Sequence, residues 1–166
     1  MPSKFNISNP KDKINSLTNH LQERYKLGSG SDKIAEVKNL RPIFAFDYLS
    51  LSKTNVCFNS KVINQKKDYL KLLEGLKKIS SKTFDDLTRD KNYHFHSVDF
   101  SNVKVKVSEN DFLKCLVSDS RKIDDSIKPT VYQFKIFEEA RILGFLYRGI
   151  FYLVWFDRQH EVYKRK

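Results

Sequence analysis

From Pro129 onward the chain reads VYQFKIF, EEA, RILGFLY, RG and IFYLVWF before a polar tail, DRQHEVYKRK. Runs rich in β-branched and aromatic residues, parted by short polar breaks, predict three strands, and the Arg148-Gly149 break predicts a tight hairpin. This is an antiparallel meander. Its last run, Ile150 to Phe156, is apolar or aromatic at every position and carries no charged residue. A strand without alternation is expected in the interior of a sheet, covered on both faces.

Upstream the period changes. Asn9, Pro10 and Asp12 form a helix start, and Ile14, Leu17, Leu21 and Tyr25 follow at helical spacing until Gly28-Ser29-Gly30-Ser31 breaks the pattern. Residues 1–35 therefore read as an N-terminal helical arm and flexible hinge, and residues 36–166 as a single α+β domain. Leu40 to Leu51 alternates Phe44, Phe46 and Tyr48 and predicts a strand, with a weaker one over Asn55 to Phe58. Lys66 to Ile79 predicts a helix whose apolar stripe is Tyr69, Leu72, Leu73, Leu76 and Ile79. Thr83 and Ser108 each precede a carboxylate by three residues, the capping pattern of two further short helices. Tyr93 to Phe100 reads as extended. The fold expected is α+β: the three-strand meander plus an N-terminal strand in an antiparallel sheet, packed against several helices.

Composition narrows the class. A chain of 166 residues with 40% hydrophobic content is long enough for one cored domain. No apolar run reaches membrane-spanning length and MPSKFNISNPKDK lacks the apolar core of a secretion signal, so a cytoplasmic protein that does not engage a membrane is expected. Cys57 and Cys115 have apolar neighbours and read as buried free thiols rather than a disulfide or zinc site. With five glycines and no Gly-rich loop or G-x-S-x-G elbow, glycine-dependent nucleotide folds and serine hydrolases are set aside, and no cofactor is expected. The net charge of +11 is uneven: residues 81–128 balance nine positive against nine negative groups, which leaves the excess on the N-terminal half and the meander. Such a surface attracts polyanions, or else reflects lysine used for solubility.

Any chemistry is expected at the polar exit of the last strand. Arg141 begins the second strand of the meander and Asp157 ends the third, so an antiparallel pair brings them to the same edge, with Arg148 in the turn at the opposite end. Arg141, His160 and Tyr163 together suit RNA: guanidinium grips phosphate and imidazole moves a proton near neutral pH. Equally, Arg141 pairs with Asp157 or Glu161, and His160 and Tyr163 cap the sheet. His94 and His96 alternate in the extended segment. Both are candidate supporting residues of the site: His96 meets His160 as part of an acid/base pair, or the two ligate a metal with His160 and Asp157, or a histidine pins the segment through Asp99. Lys66, Lys67, Lys71, Lys77 and Lys78 on the long helix are a solvated face or a phosphate-binding row.

The ending RILGFLYRGIFYLVWFDRQHEVY resembles the terminal strands of the RelE/ParE superfamily of toxin–antitoxin toxins, and also small phage and mobile-element proteins with D-x-x-H tails and H-x-V-D middles. The resemblance implies a ribosome-associated endoribonuclease that cuts mRNA without a metal, with phosphate contacts from Arg141 and Arg148. His160 would then do acid/base work and Tyr163 would orient or stack on a base. It also implies RNA or the ribosome as partner, and an antitoxin or other protein as a second one. The alternative expectation is a non-enzymatic nucleic-acid- or protein-binding module of a phage or mobile-element defence system, relying on the helix lysines.

Overall fold

The computed structural model describes residues 31–51, 55–59, 62–63, 66–102, 105–117 and 128–162. Along the chain these form α1 (Ile34–Val37), β1 (Ile43–Ala45), α2 (Lys66–Ser80), α3 (Phe84–Arg89), a 3₁₀ turn (Lys91–Tyr93), β2 (His96–Ser97), α4 (Glu109–Leu113), β3 (Val131–Phe137), β4 (Ala140–Tyr147) and β5 (Ile150–Asp157). The expected helix within residues 1–30 lies outside the described residues. Ser31 and Asp32, where the described chain begins, are tied to the sheet. The Ser31 hydroxyl accepts from the Thr130 N–H at 3.1 Å, and the Asp32 carboxylate accepts from the Gly149 N–H at 2.6 Å.

The meander forms as its pattern predicts. β3, β4 and β5 pair antiparallel, and Arg148 and Gly149 both take positive φ (52° and 74°), the signature of a two-residue type I′ turn. The sheet has five strands in the order β1-β5-β4-β3-β2. It is mixed rather than antiparallel throughout, because β1 pairs parallel with β5 through Ile43↔Ile150 to Ala45↔Tyr152. The chain from β1 to the meander passes through α2, α3 and α4, which is long enough to return it in either sense. β5 is interior, as its unbroken apolar run requires.

Two other expectations are corrected. The strand expected over Leu40 to Leu51 is confined to Ile43–Ala45, because the chain turns at Asp47-Tyr48. Asn55 to Phe58 is turn and bend, its Phe58 N–H donating to the Ser50 carbonyl at 2.9 Å instead of extending the sheet.

The sheet buries both faces. On one, Leu72, Leu76 and Ile79 of α2 and Phe84 and Leu87 of α3 pack with Phe134, Ile142, Leu146, Phe151 and Phe156. On the other, Phe112 of α4 packs with Val131, Leu143, Phe145, Tyr152, Trp155 and Val162. α2 is turned from the expected orientation: Tyr69 and Leu73 are exposed, and Asp68 joins the buried row instead. The reason is electrostatic. Asp68 meets Arg158 Nε at 3.0 Å, and Arg158 also reaches Glu138, which Lys71 holds from the helix side. A carboxylate buried at this position requires such a partner, and the Arg158 guanidinium provides it.

The caps form as read. Thr83 accepts from the Asp86 N–H while Asp86 accepts from the Thr83 N–H, and the Ser108 hydroxyl accepts from the Asp111 N–H. Among the described residues no helix is long and apolar enough to cross a membrane. Both cysteines are free thiols, with Cys57 buried and Cys115 half-buried.

Candidate functional site

Strand register builds the site. Arg141 lies directly across from Asp157 on β5 and from Lys135 on β3, and Gln133, two residues before Lys135, lies across from His96 on β2. Cross-strand partners and residues two apart share a face. Gln133, Lys135, Arg141 and Asp157 therefore occupy the α4 face of the sheet, at the end where the apolar packing stops.

Arg141 and Asp157 face each other across the strands without forming an ion pair. The Asp157 carboxylate accepts from the Glu161 N–H at 2.7 Å and the Val162 N–H at 2.9 Å, folding the chain after β5 back over the sheet. Burial pushes the Asp157 carboxyl above its usual range, against those two hydrogen bonds and the charge of His160. Arg141 is only 4% exposed; its Nη1 donates to the Ala140 carbonyl at 3.2 Å, and its Nε has no hydrogen-bond partner. Burial lowers the Arg141 pKa, with Glu139 and Asp157 opposing. A desolvated guanidinium with an unused donor is costly to bury, and an anion is the partner such a group pairs with most strongly.

The histidines come from three directions. His94 ends the 3₁₀ turn in a left-handed conformation (φ 44°), so it is placed by that turn and not by strand alternation. His96 lies on β2, where its Nδ1–H donates to the Ser97 carbonyl at 2.7 Å and its Nε2 accepts from the Gln133 amide at 2.8 Å. The Gln133 Oε1 is buried without a partner. His160 sits in the returning loop at φ 57°, its Nδ1 3.9 Å from Glu139. These groups lie within electrostatic reach of His94: desolvation first, then Arg141, Lys135, His96 and His160, hold its pKa below the ordinary 6.5. His94 is consequently neutral at neutral pH, able to accept a proton.

Arg141, His160, His94, His96 and Asp157 thus gather at one end of the sheet. Lys135 and Gln133 belong with them and are absent from the expected set. Their signal lay in VYQFKIF, where Gln133 and Lys135 are the two polar positions of an otherwise apolar alternation. Arg148 is at the far end of β4 and β5, its guanidinium 5.3 Å from the Tyr147 ring. Tyr163 and the Lys66 side chain lie outside the described residues. Lys71 and Lys78 are drawn against Phe137 and Tyr93 at 5.6 Å and 5.7 Å, while Lys67 and Lys77 are exposed on α2, which covers the opposite face of the sheet.

Asp99 does not pin a histidine, since its carboxylate accepts from the N–H and hydroxyl of Ser101 at 3.0 Å and 2.6 Å. Among the described residues no three His, Cys, Asp or Glu side chains are grouped to hold a metal.

No curated protein and no solved structure matches this chain. A family model described as Uncharacterised protein UU032 matches residues 43–166, which span α2, α3, α4 and the whole sheet, and the chain belongs to that family.

Proposed function

We propose that the protein acts on RNA as a metal-independent endoribonuclease, a ribosome-associated toxin of the kind its C-terminal strands resemble, with the polar end of the α4 face as its site. The observation that carries this reading is the buried Arg141, its Nε unpartnered, among Lys135 and three histidines. A phosphodiester carries acceptor oxygens and negative charge of the kind this guanidinium binds.

In the reaction proposed, neutral His94 takes the proton of a ribose 2′-hydroxyl, whose oxygen attacks the adjacent phosphorus. Arg141 and Lys135 hold the charge that develops on the phosphoryl oxygens. His160, protonated, gives its proton to the departing 5′-oxygen as the P–O5′ bond breaks. The products are a 2′,3′-cyclic phosphate and a 5′-hydroxyl. His96, both of whose ring nitrogens are engaged by the Ser97 carbonyl and the Gln133 amide, lines the site without moving a proton.

The test uses an end-labelled single-stranded RNA with EDTA present. Cleavage to a cyclic phosphate is expected, reduced about 10²–10⁴-fold in His160→Asn and Arg141→Met. Asparagine tolerates the left-handed backbone of position 160, and methionine approximates the buried stem of Arg141, so unchanged circular dichroism separates lost chemistry from lost fold. Cleavage at the wild-type rate in both variants, or cleavage abolished by EDTA, contradicts the reading.

The exposed side of α2 favours a second reading. Tyr69, Leu70 and Leu73 lie exposed beside Lys67 and Lys77, a surface suited to a protein or nucleic-acid partner in a binding module without catalysis. Binding that weakens steeply with salt and is lost in Lys67→Ala/Lys77→Ala, with no RNA cleavage, would favour it.

A further inference from the structure

A second feature of the α4 face lies beside the cationic cluster. It is a cleft of about 920 Å³, floored by Trp155 and lined among others by Tyr48, Asp47, Lys106, Cys115 and Glu161. Its walls are independently fixed. On one side the Ser50 N–H donates to the Val154 carbonyl at 2.8 Å, and Tyr48 packs on Phe145 and Tyr152. On the other, the Lys106 N–H donates to the Val162 carbonyl at 2.7 Å, and Phe112 stands edge-on to Trp155 at 5.2 Å. A hollow held open by backbone pairing on both flanks is preformed, and its size is that of small-molecule sites.

Its position ties it to the cluster. Trp155 lies opposite Leu143 and Asp157 opposite Arg141, so floor and cluster occupy one face of β5, two residues or about 7 Å apart. Glu161, on the rim, directly follows His160. The two compartments differ in chemistry: the cluster sets Arg141, Lys135 and the histidines beside Asp157 and Glu139, whereas the cleft joins apolar and aromatic walls to the carboxylates of Asp47 and Glu161 and to Lys106 and Lys114. A ligand spanning both has an anionic group at one end and a flat body bearing N–H donors at the other. A nucleotide has that form.

We infer that the cleft is a nucleobase subsite, taking an unstacked base with an amino and imino donor edge, guanine foremost, while the adjoining phosphate meets Arg141. This deepens the RNA reading and rests on it for the identity of the phosphate. Guanine presents two adjacent N–H groups that one carboxylate, Asp47 or Glu161, accepts side by side; uracil offers one. The base lies against the apolar walls, as unpaired bases do in single-strand recognition.

Trp155 is the single tryptophan of the chain, so intrinsic fluorescence reports the cleft directly. Titration of the full chain with GMP, AMP, CMP and UMP is expected to change the emission saturably, GMP at the lowest concentration and UMP at the highest. The double variant Asp47→Asn/Glu161→Gln is expected to weaken GMP about tenfold and to flatten that order, and an unchanged order would contradict the subsite. GMP should also slow maleimide labelling of Cys115, the cysteine on the cleft wall, in folded protein whose Cys57 is buried. An oligoribonucleotide that competes with GMP identifies RNA as the source of the base, and GMP binding without competition identifies the free nucleotide. If no nucleotide at millimolar concentration alters either emission or labelling, the subsite is overturned, even where RNA is cleaved in an Arg141-dependent manner. Conversely, GMP binding together with cleavage indifferent to Arg141→Met and His160→Asn upholds the subsite and overturns the nuclease reading.

Discussion

Asp157→Ala is expected to lower the stability of the protein by about 2–4 kcal/mol, because two backbone N–H groups lose a charged acceptor at once, one of them in a buried bond. The loop carrying His160 loses its anchor in the same variant, so any RNA cleavage should fall further than stability alone accounts for. Urea denaturation of wild type and variant measures the first effect, and a shift of less than about 0.5 kcal/mol would show that the carboxylate does not hold the loop. Asp157→Asn adds a pH signature. Burial raises the Asp157 pKa in the fold above its unfolded value of 3.8. The folded state thus retains this proton longer, and that contribution to stability is complete below 3.8 and is lost as pH rises through the folded pKa. The Asn variant cannot titrate there, so wild-type stability relative to Asp157→Asn should decline as pH rises from the acid side. Asp86, Asp99, Asp111 and Glu138, whose pKa values are lowered by hydrogen bonds, act in the opposite sense and cancel in this comparison.

The second large effect is Gly144→Ala. A Cβ at this position of β4 would fall on the Tyr152 carbonyl oxygen and lie 2.8 Å from the Phe151 ring. The site coincides with the register shift at which Leu143 pairs with Trp155 but Gly144 with Leu153. Backbone at the centre of a sheet cannot yield as a surface side chain does, so the methyl must displace β5 or break the bulge. A loss of at least about 3 kcal/mol is expected, beyond ordinary overpacking. Since the bulge sets which residues after Val154 face α4, it also fixes Trp155 and Asp157 on the same side. Thermal denaturation tests this: a melting temperature within about 2 °C of wild type would mean that the close approach is not needed.

Much of this architecture was legible because it is local. The meander follows from three apolar runs, the type I′ turn from Arg148-Gly149, and the helix starts from Thr83 and Ser108. The meeting of Arg141 with Asp157 follows from strand lengths alone. What the pattern does not carry is non-local. The parallel seating of β1 beside β5 depends on how an intervening stretch of helices returns the chain, which no periodicity encodes. The rotation of α2 depends on Asp68 finding Arg158, distant in sequence, so Tyr69 and Leu73 read as core and are not. In the site, His160, Arg141 and His94 carried a chemical signature of their own. Lys135 and Gln133 join this cluster only through register with Arg141 and His96. The cleft over Trp155 was invisible because its walls come from three separate stretches held by backbone hydrogen bonds.

The central claim is that Arg141, Lys135 and the three histidines form one field that receives a phosphate. Ring-proton NMR titration of His94, with and without a single-stranded oligoribonucleotide, measures that field directly. The free protein should show His94 titrating below 6.5, and both RNA and Arg141→Met should raise its pKa, RNA by neutralising the surrounding cations and the substitution by removing one. A His94 pKa that does not move with saturating RNA, or that ignores the loss of Arg141, would contradict the account.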